Sequence, residues 1–206
     1  MSLEGGTLFD LTDQLRQKSP EHLDLFASLT DDQFQVAFDS LLNKALAGLE
    51  ESKDGFQALK EPALSAVLRL AMLVPGLSVS LEQHSNGHAD LTFESYRLGI
   101  SRRILGEAKI HRGPKYHIDG VGQLLGYMTG RELRGLMVIY MRDANGSGLM
   151  KKVRDTMDEE KPADQRGLTT PHVLKWAFDS NHFHSCGDNI RISHVACNLH
   201  VDGGSA

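Results

Sequence analysis

The sequence predicts an α/β fold: a mixed central β-sheet flanked by helices and preceded by an N-terminal helical segment. Three observations predict it. Apolar residues recur at helical spacing as far as residue 49 and again from residue 61 to 74. At Leu77 the apolar period changes to two. Further on, strand-like and helix-like stretches alternate around the continuous apolar run LMVIYM (136–141), which implies a crossover unit between strands.

Residues 7–49 read as helical. In DDQFQVAFDSLLNKALAGLE (31–50), Phe34, Phe38, Leu41, Leu42 and Ala45 form one stripe, and Asp31 or Asp32 can cap its start. EPALSAVLRLAMLVPG (61–76) is a second helix, apolar enough to be buried, with Glu61 as its cap, Pro62 in its first turn and Pro75-Gly76 as its stop. LSVSLEQ (77–83) places Leu77, Val79 and Leu81 on one strand face, and Asn86-Gly87 is a turn into a returning strand, HADLTFES (88–95). RILGEAKIH (103–111) is a third strand. GPKYHID (113–119) reads as a loop, and DGVGQLLGYMTG (119–130) as a helix closed by Gly130.

LMVIYM has the composition of a central strand covered on both faces. GLMKKVRDTMDEE (148–160) is a helix with Leu149, Val153 and Met157 on one side, and EEKPADQRGLTTP (159–171) is a loop. The tail from His172 to Val201 reads as further strands turning at Gly187-Asp188-Asn189, with the single Trp176 in the core. The division is a helical segment over residues 1–60 packed on a core of residues 61–206. There is no internal repeat and no low-complexity tract.

With 40% hydrophobic and 24% charged residues in 206, the chain can bury a core, which argues against global disorder. No apolar run approaches the roughly 18–20 residues of a membrane span, and MSLEGGTLFD lacks the basic-then-apolar pattern of a secretion signal. Two cysteines, Cys186 and Cys197, make a poor disulfide framework and suit a reducing cytoplasm. The net charge of −5 is unevenly spread. Tyr96–Asp155 carries twelve Lys/Arg against five Asp/Glu, and the remainder ten against twenty-two. A basic middle in an acidic chain is a candidate footprint for phosphate, set against the plainer reading of an uneven solvated surface.

The chemistry concentrates in GHADLTFESYRLGISRRILGEAKIHRG (87–113). Residues two apart on a strand share a face, so Glu107 and Lys109 project together and Ala108 points away. Asp90 lies on the preceding strand of a hairpin, which brings its carboxylate alongside Glu107. Two adjacent carboxylates repel unless a cation offsets them, and oxygen ligands suit Mg²⁺ or Mn²⁺ rather than zinc. Lys109 beside such an ion can stabilise charge developing on a phosphate.

Asp90…Glu107-Ala108-Lys109 resembles the D…(D/E)-x-K signature of the PD-(D/E)XK, or restriction-endonuclease-like, nuclease superfamily. GHAD (87–90) and GEAK (106–109) look like the G-x-x-D and E-x-K elements of its RecB and lambda-exonuclease branch, and QLLGY supplies Gln123 and Tyr127 for that branch's Q-x-x-x-Y helix. The resemblance covers roughly residues 61–142. It implies a restriction-endonuclease-like core and a Mg²⁺- or Mn²⁺-dependent nuclease that hydrolyses DNA in defence or DNA processing, with a partner protein or homo-oligomer supplying specificity. Residue by residue, it implies that Asp90, Glu107 and the Ala108 carbonyl ligate the metal. Lys109 is then the catalytic lysine, and Gln123 and Tyr127 contact the nucleic-acid backbone or shape the site.

Glu61 is the best-placed match to the superfamily's glutamate on the helix before the hairpin, and His88 shares a face with Asp90. Ala89 stands where the superfamily's name has proline. The alternative is a non-catalytic nucleic-acid-binding subunit on the same fold.

Two other signals compete. Gly120, Gly122 and Gly126 suggest a dinucleotide fingerprint, but no strand runs directly into them, and close approach of a neighbouring element or of the substrate backbone explains them better. His182, His184, Cys186, His194, Cys197 and His200 fall within nineteen residues. A turn at Asp188 would set His182 opposite His194 on the face of His184. That arrangement is open to zinc, to a contribution from His182 or His184 to a substrate groove, or to packing histidines with backbone bonds.

Overall fold

The computed structural model describes residues 7–81, 83–84 and 88–202, without the side chains of residues 83, 84 and 88. The Asn86-Gly87 turn, Gly87 of the G-x-x-D element and the His88 side chain lie outside this description.

Five helices come first: α1 (Leu8–Lys18), α2 (Pro20–Ala27), α3 (Asp31–Glu51), the single turn α4 (Lys53–Phe56) and α5 (Glu61–Met72). Thr30 caps α3, its side chain accepting from the Gln33 amide while Gln33 reaches back. The cap is therefore one residue before the expected Asp31 or Asp32, whose charges instead favour the positive end of the helix. The α5 cap is Lys60, not Glu61, which is the first helical residue. That displacement frees the Glu61 carboxylate for a partner outside its own helix.

The strands are β1 (Ser78–Ser80), β2 (Gln83–His84), β3 (His88–Ala89), β4 (Leu91–Arg97), β5 (Ile100–Ile110), β6 (Arg134–Met141), β7 (Thr170–Pro171), β8 (Phe178–Phe183) and β9 (Asn189–Asn198). Helices α6 (Pro114–Tyr127) and α7 (Gly146–Glu160) lie on either side of β6 in sequence. Seven strands form one mixed sheet in the order β1-β4-β5-β6-β9-β8-β7, parallel at β5–β6 and β6–β9 and antiparallel elsewhere. The returning strand expected over 88–95 is divided at Asp90: β3 pairs with β2 in a separate ladder, whereas β4 enters the main sheet.

Helix α6 begins at Pro114, so GPKYHID is not a loop. Gly113, at φ 104°, turns the chain, and proline suits the first helical position because its missing N–H has no helical partner there. All eight residues of β6 are buried. One sheet face packs on α3 and α5 through Phe93, Ile104, Ala108, Val138 and Val195. The other packs on α6 and α7 through Leu105, Met137, Ile139 and Ala196. On α7 the buried stripe is Met150, Val153 and Met157, with Leu149 at its edge. Trp176 is only partly buried.

Five of the twelve basic residues in the middle are taken up by the fold. Arg102, 3% exposed, binds Asp31 and the Leu29 carbonyl, and Arg134, 1% exposed, pairs with Asp39. Arg103 pairs with Glu132, Arg142 reaches the Leu59 carbonyl and Arg154 holds Thr169. These side chains cross-link elements and leave a smaller basic surface than the local count implied. Among the described residues no helix is long and apolar enough to cross a membrane.

Candidate functional site

Strand β4 pairs with β5 only as far as Leu91 opposite Gly106. Beyond that point β5 continues against β6 to Ile110 opposite Tyr140, with nothing from β4 beside it. Two β5 amides past the end of the β4 ladder are taken by carboxylates. Asp90, at the bend before β4, accepts from the Ala108 amide through Oδ2 at 2.9 Å. Glu61, in the first turn of α5, accepts from the Ile110 amide through Oε2 at 2.8 Å. Such charge-assisted bonds are roughly twice as strong as neutral ones. They fix two acids at the edge of one strand.

Glu107 projects from the same stretch toward α6 and is 3% exposed. Its Oε1 lies 2.6 Å from Lys109 Nζ, and its Oε2 is buried with no hydrogen-bond partner. Lys109 Nζ also lies 3.9 Å from Glu61 Oε1. Burial pushes the Glu107 carboxyl up to about 7, reinforced by the charges of Asp90 and Glu61 and only partly countered by Lys109. For Lys109, burial works to lower the pKa, but the bond to Glu107 and the charges of Glu107, Glu61 and Asp90 outweigh it. The ammonium is held above its ordinary value. Asp90, Glu107 and Lys109 are thus brought together, with Glu61 as a third acid.

Gly120 of α6 permits this packing. A Cβ there would stand 2.9 Å from Met137 Cε and 3.3 Å from Lys109 Cε. A neighbouring element closely approaches Gly120, whereas a Cβ at Gly122 or Gly126 would meet nothing within 4 Å. One turn before Gly120, the Tyr116 ring lies 5.8 Å from Lys109 Nζ and 5.1 Å from Arg112 Cζ. Tyr116 and Arg112 were not singled out from sequence. The Gly-Pro helix start, which fixes where Tyr116 falls, was the available signal. Gln123 is exposed further along α6, and Tyr127 is half-buried against the cluster beneath that helix. Ala108 is fully buried on the α3–α5 face.

The tail residues do not gather around one point. Cys197 is buried on the α3 face, and Cys186 is exposed. His184 bonds to the Leu125 carbonyl and His200 to the Arg142 carbonyl. His182 is wholly buried, so it cannot line a groove. The ladder sets it opposite Ile190 and sets His194 opposite Phe178, correcting the direct pairing expected of the two histidines. They are joined through Ser180, whose Oγ lies 2.7 Å from Nε2 of each. His194 Nδ1 in turn lies 2.8 Å from His117 Nε2 on α6, and His182 Nδ1 lies 2.9 Å from the Ala163 carbonyl. This chain spans α6, β9, β8 and the loop after α7.

Among the described residues, no group of three or more His, Cys, Asp or Glu side chains is arranged to hold a metal ion. Between Glu107 and Glu61 stands the Lys109 ammonium. The donors that could hold a hard cation are Glu107, with its unpartnered oxygen, and the carboxylates of Asp90 and Glu61. No protein-family model, curated protein or solved structure matches the chain.

Proposed function

We propose that the chain is a metal-dependent nuclease of the PD-(D/E)XK superfamily, in its RecB and lambda-exonuclease branch. It would hydrolyse DNA phosphodiester bonds in a defence or DNA-processing role. One observation carries this reading: Asp90, Glu107 and Lys109 meet where β5 outruns β4, and Glu61 joins them from α5. The order of the motifs supports it: Asp90 at the bend before β4, Glu107 and Lys109 on β5, and Gln123 and Tyr127 following on α6.

The residues fit a divalent cation. A buried carboxylate oxygen lacks a partner, and burial, with the neighbouring acids adding to it, raises the pKa of its carboxyl, which is the imbalance a hard cation relieves. Asp90, Glu107 and the Ala108 carbonyl would hold Mg²⁺ or Mn²⁺, with Glu61 in support. When bound, the ion supplies Lewis-acid polarisation of the phosphoryl oxygen and a water of lowered pKa. Lys109, protonated and mostly buried, would place a positive charge where the transition state gains negative charge. Gly120 and Tyr116 set the path of its side chain, while the Ala108 and Ile110 amides hold Asp90 and Glu61 in place.

The test is degradation of DNA by the purified chain in Mg²⁺ or Mn²⁺, abolished by Asp90→Ala and by Lys109→Ala. Equal activity in those variants removes the assignment. A non-catalytic subunit on this fold would take up no Mg²⁺ near Asp90 by calorimetry.

A further inference from the structure

The acid cluster contains three carboxylates, and its internal cation is an ammonium. Lys109 Nζ sits 2.6 Å from Glu107 Oε1 and 3.9 Å from Glu61 Oε1, with its side chain 13% exposed. An ammonium on a four-carbon stem is a point charge that can change position, unlike a guanidinium fixed by paired bonds to a carboxylate. The Tyr116 ring, 5.8 Å from Nζ and shared with the Arg112 guanidinium at 5.1 Å, gives the same ammonium an aromatic contact away from Glu107. The stem runs beside Gly120, where the missing Cβ leaves it room.

We propose that Lys109 is the resident counterion of this cluster and that a divalent cation enters by displacing its ammonium from Glu107. The lysine then becomes available to a phosphate only once the ion is in place. This gating rests on the cation-site reading above. It couples loading of the site to release of Lys109, so the cation-free chain is held closed by its own catalytic side chain. No bond is made or broken; one ion pair is exchanged for another.

The gating makes an unusual demand on Lys109→Met. The variant should lose cleavage yet bind Ca²⁺ and Mg²⁺ more tightly than the native chain, by roughly tenfold or more, because a competing positive charge is gone. Calorimetry with each metal alone, without nucleic acid, reads this on the native chain, Lys109→Met and Asp90→Ala. A second measurement uses the native chain only: acylation of Lys109 by an amine reagent, followed by mass spectrometry, should rise several-fold when Ca²⁺ is added.

Tighter binding by folded Lys109→Met together with faster acylation establishes the gating. If the native chain binds the ion but folded Lys109→Met binds it no tighter, the gating is wrong while the cation site stands. Acylation unchanged by the ion likewise overturns the gating, and it decides the matter if the variant does not fold. If the native chain takes up no ion, or Asp90→Ala takes it up equally, the cation site and its gating both fall.

Discussion

Glu61 and Ile110 are 49 residues apart and are joined by a 2.8 Å hydrogen bond from the Ile110 amide to Glu61 Oε2. The bond ties the first turn of α5 to the end of β5 and directs the carboxylate's other oxygen toward Lys109. Glu61→Gln keeps an acceptor for the amide but removes the charge, whereas Glu61→Ala removes both. Urea denaturation should therefore place Glu61→Gln within about 0.5 kcal/mol of the native chain and Glu61→Ala about 1–3 kcal/mol below it. Under the nuclease reading, both should cleave DNA more slowly. Equal stability loss in the two variants would show that the charge, not the bond, is what α5 contributes.

Glu107 makes stability depend on pH in the direction opposite to an ordinary paired acid. Its folded pKa is raised to about 7 from 4.5, so the folded chain binds the proton more tightly than the unfolded chain. Stability is accordingly lost as pH rises between those two values. Each pKa unit corresponds to about 1.4 kcal/mol, which puts a ceiling on the order of 3 kcal/mol on the effect. Glu107→Gln should gain in Tm relative to the native chain between pH 5 and pH 8, as read by thermal scans at several pH values. Under the cation-site reading, Mg²⁺ should reduce that gain by favouring the ionised carboxylate. A difference in Tm that does not move with pH would rule out the raised carboxyl.

Gly120→Ala separates stability from chemistry. Alanine favours a helix over glycine by about 1 kcal/mol, while the clash with Met137 and the Lys109 stem costs about 1–3 kcal/mol. Urea denaturation should show a net change within roughly 2 kcal/mol, and under the nuclease reading DNA cleavage should fall about tenfold or more because the stem must shift. Unaltered cleavage would mean that Lys109 does not depend on the bare backbone of α6.

Much of this arrangement was legible in local pattern. LMVIYM announced a doubly covered strand because parallel strands under helices leave no face for polar residues. Glu107 and Lys109 were readable as neighbours because strand side chains alternate, and Asp90 came with them once the hairpin was placed. The contact between Glu61 and Ile110 was not readable at its source, since it depends on how a helix start docks 49 residues away. Glu61 entered only through the family resemblance. Helix α6 was misplaced by several residues because Gly113-Pro114 signals both a loop and a helix start. The basic middle was legible only as a count, because a count of charges does not show which arginines face inward, and Arg102 and Arg134 are committed to Asp31 and Asp39.

The pairing of Arg134 with Asp39 carries its own prediction. Both residues are buried, and His172 adds a contact at 3.4 Å. Burial raises the Asp39 carboxyl, but His172 and Arg134 outweigh it, leaving its pKa below the ordinary value. Asp39→Ala strands a buried guanidinium and should cost about 3–5 kcal/mol, whereas a double variant with Arg134→Met should recover part of that loss. A double-mutant cycle in urea checks this, and purely additive losses would show that the two charges do not depend on each other.

The buried histidine chain predicts where acid attacks the fold. His117 is held down to about 3 by burial, with the charge of His111 adding to the effect, and His194 is held well below its ordinary value by burial, with His117 and His182 adding. Both therefore remain neutral in the folded chain, while the unfolded chain protonates them near 6.5. The sign follows from proton binding: their contribution is fully present above pH 6.5 and is lost as pH falls below it. At pH 5 His117 should cost about 2 kcal/mol relative to pH 8, and His194 adds a loss in the same direction.

His117→Asn removes one of the two titrations. Its Tm should fall less steeply than that of the native chain between pH 6.5 and pH 5, even if it starts lower. Ser180→Ala breaks the link at 2.7 Å between His182 and His194 but keeps every imidazole, so it should lower Tm without flattening the acid slope. Parallel acid slopes for His117→Asn and the native chain would place the acid sensitivity elsewhere in the molecule.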